Sequence, residues 1–260
     1  MKVLAVMGSP RKRGNTYRVV ERIKESLLAY DKGIDFEFLF LQDYNLAMCA
    51  GCFTCFARGE EHCPLKDDRV VIASKMSGAD GIIFAAPTYA MGVPALMKSF
   101  IDRFAYTCHR PQFFDKAFMA VATVGGVIGT KQALQQLALL SGGGRLVKKL
   151  GISTPPIPMT GYAQKAKRKI QKASKAFYAA LKKPARKLPG AAEWAWFHSF
   201  KSMCAFAAYR EVCPADHAYY KDRGAYFYPL NGHRVRRLLG KALGGLMRFG
   251  FGFLMKKEMD

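Results

Sequence analysis

The sequence predicts an α/β fold, a doubly wound five-stranded parallel sheet in the order 2-1-3-4-5 with a helical extension behind it. Three observations carry this. Apolar runs alternate with helix-period segments through the first 155 residues. Strands that alternate with helices imply parallel pairing through right-handed crossovers. The first apolar run ends in a polar loop, residues 8–16 (Gly-Ser-Pro-Arg-Lys-Arg-Gly-Asn-Thr), that opens directly into a helical pattern. A helix N-terminus offers unpaired N–H groups and a partial positive charge, so this loop is a candidate phosphate cradle.

Taken in order, the predicted strands are Val3–Met7, Asp35–Leu41, Gly81–Ala86, Ala117–Thr123 and Leu146–Ile152. Helices are predicted near 15–30, 68–78, 94–105 and 130–141. Val19, Ile23 and Leu27 mark one face of the first. Asp67 and Asp68 are expected N-caps of the second, and Pro94 suits the first turn of the third. Residues 153–161 read as a linker. This divides the chain into an α/β domain over 1–155 and a helical extension over 156–260. The extension reads as a basic helix near 162–183, an aromatic-rich helix near 191–211 and a closing basic amphipathic helix near 232–256.

In the doubly wound order, three loops meet at the carboxyl ends of strands 1, 3 and 4. They are the Ser9–Thr16 cradle, the stretch from Ala86 to Pro94, and Thr123-Val124-Gly125-Gly126. Small residues there let a flat ring approach the backbone, and tyrosine or methionine can lie against its face. Each loop alone could be an ordinary turn; together they favour a nucleotide site.

The motifs Gly8-Ser9-Pro10-Arg11 with Gly14-Asn15-Thr16, Pro87-Thr88-Tyr89, and Pro94-Ala95-Leu96-Met97-Lys98 with Ile101-Asp102-Arg103 resemble those of the NAD(P)H-dependent FMN reductase family, which has a flavodoxin-like fold. The resemblance covers about residues 1–155. It implies that Ser9, Arg11, Asn15 and Thr16 hold the FMN phosphate. It implies that Pro87, Thr88, Tyr89, Met91 and Gly92 line the ribityl chain and ring, and that Thr123, Gly125 and Gly126 contact the ring edge. NAD(P)H is the implied electron donor and a homodimer the implied assembly. The G-x-G-x-x-G fingerprint is absent after the first strand, which argues against a tightly held dinucleotide of the Rossmann kind.

Cys49, Cys52, Cys55 and Cys63 form a C-x2-C-x2-C-x7-C run followed by Pro64. Such spacing suits a [4Fe–4S] cluster, which needs four thiolates around a compact core. It resembles the motif of the iron–sulfur flavoprotein branch of the same family, where Asp-Asp follows as Asp67-Asp68 does here. A structural zinc, buried thiols without metal, and a degenerate loop in a cluster-free reductase compete with this reading. No Ser/His/Asp set is evident, and the five histidines show no ligand-like spacing. For Asp102 and Arg103, at the end of a helix, an intrahelical or capping role is expected.

The composition is strongly basic, with a formal net charge of +22. Residues 1–160 carry 20 basic and 13 acidic side chains, and residues 161–260 carry 21 and 6, so the excess lies in the extension. Such a surface attracts anionic lipid, nucleic acid or an acidic protein. No nucleic-acid recognition motif supports the second. In the closing helix Val235, Leu238, Leu239, Leu243 and Leu246 mark one face while Arg234, Arg236, Arg237 and Lys241 crowd elsewhere. That helix is expected to dock on its own chain or a second subunit, with peripheral membrane contact as the alternative. The apolar run after Lys2 is too short for a secretion signal and seven cysteines make an odd count, so a cytoplasmic protein is expected.

The functional expectation is an FMN-dependent NAD(P)H oxidoreductase, an iron–sulfur flavoprotein that exchanges electrons with a small-molecule or protein acceptor. The alternatives are a cluster-free flavin or quinone reductase, and a flavin-bearing module that docks on a membrane or partner with little turnover.

Overall fold

The structure is a computed structural model, and it describes residues 1–157, 159–183, 188–230, 242, 244–247 and 249–250. Five parallel strands form one sheet: β1 (Lys2–Met7), β2 (Asp35–Phe40), β3 (Gly81–Pro87), β4 (Ala117–Val124) and β5 (Arg145–Ser153). Their order is β2-β1-β3-β4-β5, the doubly wound order expected. Ten helices are described: α1 (Asn15–Tyr30), α2 (Thr54–Ala57), α3 (Arg69–Ser77), α4 (Ala95–Arg103), α5 (Tyr106–His109), α6 (Thr130–Leu139), α7 (Tyr162–Leu181), α8 (Ala191–Met203), α9 (Ala207–Val212) and α10 (Pro214–Tyr220).

The chain forms two compact units, Met1–Ala50 with Leu65–Arg186, and Gly51–Pro64 with Lys187–Asp260. In the first, successive strand side chains point to opposite sheet faces. Val3, Ala5 and Met7 of β1, with Ile83 and Ala85 of β3, pack under Val19, Val20, Ile23 and Leu27 of α1. Ile170, Ala173, Phe177 and Ala180 of α7 join the same cluster. The sequence reading assigned α7 to the extension after residue 155; its apolar stripe lies on the sheet instead. Contact is close: a Cβ on Gly81 would stand 2.5 Å from Leu181 Cδ2. On the opposite face Phe84 stacks on Phe118, with ring centroids 5.6 Å apart, and meets Phe100 of α4.

The second unit has its own core. Trp194, Phe197 and Phe200 of α8 cluster with Cys204, Tyr220, Tyr226 and Leu230. The aromatic residues of the segment expected as an aromatic-rich helix thus pack largely on one another. Asp216 is fully buried and accepts a hydrogen bond from the Tyr209 hydroxyl at 2.9 Å. The expected helix over 191–211 is broken into α8 and α9. The break falls where the Cys204 carbonyl lies 3.0 Å from His217 Nδ1 of α10. The expected closing helix over 232–256 lies largely outside the described residues. No described helix is long and apolar enough to cross a membrane.

Candidate functional site

The sheet order brings the ends of β1, β3 and β4 side by side, and the three expected loops leave from those ends. The first follows β1. Gly8 extends the ladder one residue past the strand, its N–H donating to the Ala85 carbonyl at 2.8 Å. Ser9 is buried, and its hydroxyl folds the loop on itself. It accepts from the Arg11 N–H and donates to the Arg11 carbonyl, both at 3.1 Å. Arg11 and Asn15 are exposed. The start of α1 has Gly14 as N-cap, no side-chain cap and no acidic residue in its first turn, so its positive end is not neutralised locally.

Thr16 does something the sequence did not indicate. Its hydroxyl lies 2.7 Å from the Thr123 hydroxyl, and both residues are buried. One end of α1 is thereby tied to the end of β4. Thr16→Val leaves Thr123 buried without this partner and is expected to cost about 1–3 kcal/mol. In denaturant unfolding, Thr16→Val/Thr123→Val should cost clearly less than the two single changes added.

The second loop leaves β3 at Pro87. The Thr88 N–H donates to the Thr123 carbonyl at 2.7 Å. Thr88 Oγ1 is buried and meets no hydrogen-bond partner. Tyr89 and Gly92 close a four-residue turn by donating N–H to each other's carbonyl, both at 2.9 Å. Between them Ala90 and Met91 both have positive φ, 46° and 67°. The Val93 N–H donates to Gln136 Oε1 of α6 at 3.0 Å.

In the third loop Gly125 and Gly126 are exposed, and a Cβ on either would meet nothing within 4 Å. Ser153 donates to the Gly126 carbonyl. Gly129, with φ of 112°, packs where a Cβ would touch Met91 Sδ and Thr88 Cγ2. Sequence reasoning missed Gln136 and Gly129. For Gly129 the signal was present, a glycine directly ahead of a helix. Gln136 gave none.

These residues suit FMN. A buried hydroxyl with no protein partner lies between a cationic helix start and a glycine-edged loop. That is a place for a ligand with polar groups along its length, an anion at one end and a flat body at the other.

The cysteines are a different matter. Cys49 and Cys52 are exposed, and Cys55 and Cys63 are half-buried. Cys52 sits between two residues in the left-handed region, Gly51 (φ 65°) and Phe53 (φ 61°), and Cys55 lies in α2. Among the described residues no three His, Cys, Asp or Glu side chains come together as a metal-binding group.

The two flanks of this segment are well fixed within the first unit. Asp67 and Arg103 form an ion pair with both side chains almost fully buried. Arg103 also donates to the Ala47 carbonyl at 2.9 Å, and Asp67 accepts the Ala47 N–H at 3.0 Å. Asp68 is N-cap of α3 by position, but its carboxylate does not cap the helix; it accepts the Asn45 N–H at 2.7 Å. Burial pushes the Asp67 carboxyl up, but the Arg103 guanidinium and the Ala47 and Arg69 N–H groups outweigh it and hold the carboxyl below its ordinary value. Asp102 keeps the intrahelical role expected of it, paired with Lys98 at 2.5 Å. Arg103 instead reaches across the fold.

The NADPH-dependent FMN reductase family matches residues 1–146. The chain is 33% identical over 127 residues to an iron–sulfur flavoprotein of Archaeoglobus fulgidus, covering 49% of this chain and 56% of that protein. It is 42% identical over 103 residues to one of Methanocaldococcus jannaschii, covering 40% and 51%. These matches span about half the length of the two archaeal relatives. It is 32% identical over 183 residues to an iron–sulfur flavoprotein of Clostridioides difficile, covering 68% and 78%. Among solved structures, an FMN-dependent NADH-azoreductase of Bacillus anthracis in complex with FMN superposes with a TM-score of 0.50 at 14% identity, covering 67% of this chain and 98% of that one. That likeness speaks for the flavodoxin-like fold.

Proposed function

The chain belongs to the NADPH-dependent FMN reductase family, and we propose that it is an FMN-dependent oxidoreductase that takes electrons from NAD(P)H. Bound FMN supplies hydride and single-electron chemistry. The protein's own residues supply position. Arg11, Asn15 and the start of α1 offer charge and N–H groups for the phosphate. Thr88 offers a hydroxyl to the ligand's polar chain. The exposed Tyr89, Met91, Gly125 and Gly126 leave a surface that a planar ring can approach. The observation that carries the reading is the buried, unpartnered Thr88 Oγ1 at the meeting of the three loops.

The test is stoichiometric FMN binding by the purified full chain, followed by flavin fluorescence, with reduction of the bound flavin by NADPH or NADH. No binding after reconstitution would end the reading. Thr88→Val gives a sharper check. Removing a buried hydroxyl that no protein group satisfies should leave the stability of the FMN-free protein unchanged or raise it. FMN affinity should fall about tenfold, the loss of one hydrogen bond.

A second reading adds a [4Fe–4S] cluster on Cys49, Cys52, Cys55 and Cys63. It is supported by the spacing of the cysteines and by the names of the relatives. No step is assigned to a cluster. Iron and acid-labile sulfide measured after anaerobic purification decide it: about four of each per chain supports the cluster, and none leaves a cluster-free reductase. Homodimer formation, a small-molecule or protein acceptor, and membrane contact through 232–256 belong to the same proposal. Liposome flotation with and without residues 231–260 tests the last.

A further inference from the structure

We infer that Gln136, which belongs to none of the three loops, is the positioning residue for the flavin-facing turn; the inference rests on the FMN reading above. The turn Tyr89–Gly92 has two consecutive central residues with positive φ, and neither is glycine. This backbone shape is the one that Asn-Gly pairs adopt without strain. Alanine and methionine adopt it against steric resistance from Cβ, and such residues persist only where their surroundings over-determine them.

The surroundings that hold it can be named. Two reciprocal hydrogen bonds close the turn from inside. Gly129 gives Met91 Sδ room on one side. The chain leaving the turn is fixed by Gln136 Oε1, which accepts the Val93 N–H at 3.0 Å. Gly92 lies under the same side chain, close enough that a Cβ there would stand 3.3 Å from Gln136 Oε1. Gln136 is half-buried on α6, a helix whose Ala133, Leu134 and Leu137 are fixed in the core. A rigid element thus grips the first residue beyond a strained turn. Without that grip the turn can relax to negative φ, and Tyr89 and Met91 leave the positions from which they would meet the ring.

The claim separates strain from simple packing. If Gln136 matters because it holds a strained turn, removing the strain makes it dispensable. Glycine tolerates positive φ, and Ala90 is not among the proposed FMN contacts.

The experiment uses the full chain with FMN as probe. It measures the dissociation constant and the visible circular dichroism of the bound flavin at saturation. Gln136→Leu should raise the dissociation constant about tenfold and alter the dichroism, with little change in the melting temperature of the FMN-free protein. Gln136→Glu, which keeps an acceptor for the Val93 N–H, should bind within about threefold of the parent. Ala90→Gly added to Gln136→Leu should restore both affinity and dichroism. Parental affinity and dichroism in Gln136→Leu would overturn the inference, and so would a loss that Ala90→Gly does not repair. Failure of the unaltered chain to bind FMN would instead overturn the functional reading beneath it.

Discussion

Arg103→Met is expected to destabilise the protein by about 3–5 kcal/mol at neutral pH, the usual cost of leaving one member of a buried ion pair behind. The Asp67 carboxylate is almost fully shielded from water, so solvent cannot replace the guanidinium. It would keep only the N–H groups of Ala47 and Arg69. Chemical denaturation measures the loss. The loss should also shrink on acidification. In the parent the Asp67 carboxyl titrates below its ordinary value, so its stabilisation is complete above the ordinary carboxylate range and disappears as pH falls through the lowered folded value. In the variant burial is no longer outweighed, the carboxyl moves up, and protonation relieves the buried charge. Parent and Arg103→Met should therefore converge between pH 7 and about pH 4. A penalty that stays constant over that range would mean that Arg103 acts by packing rather than by charge.

The same variant bears on the cysteine segment. Arg103 and Asp67 bind the stretch before it at Ala47, and Asp68 binds it at Asn45. The chain leaves toward Cys49 and returns past Cys63 through this neck. Loss of the pair should raise amide exchange at 45–47 and 65–68 before it affects the sheet.

How much of this could be read in advance follows from the range of each interaction. Strands and first-domain helices are local patterns. The continuous apolar run Val3–Met7 and the i, i+4, i+8 spacing of Val19, Ile23 and Leu27 are short-range patterns, and the structure places these elements within a residue or two. Loop chemistry is also local, so the runs after β1, β3 and β4 were visible as small, polar or glycine-rich stretches. Partner choice is not local. Arg103 reads as a helix end, yet its partner stands 36 residues earlier. Gln136 reads as one of three glutamines on a helix, yet it holds an N–H 43 residues away. The stripe Ile170, Ala173 and Phe177 announces a buried face without saying which surface buries it. The aromatic segment announces a core without saying that the core is its own.

Gly8→Ala is expected to damage both fold and site. A Cβ at residue 8 would stand 2.5 Å from Met97 Cε and 2.6 Å from Met97 Cβ. The first atom ends a flexible chain and can swing aside. The second is fixed to the backbone of α4, and Met97 is fully buried. Residue 8 cannot retreat easily either, because its N–H continues the ladder onto Ala85 at 2.8 Å. Either α4 or the phosphate loop must move, at about 1–3 kcal/mol. The loop is the softer of the two, with Arg11, Lys12 and Arg13 exposed. Displacing it shifts the start of α1 and should weaken FMN binding at least about tenfold, the scale of one lost hydrogen bond. Met97→Ala in the same background removes the Cε contact and keeps the Cβ contact, so it should recover only part of the stability. Full recovery would mean that the side-chain tip was the whole obstacle. Parental FMN affinity in Gly8→Ala would mean that the loop after β1 does not carry the phosphate.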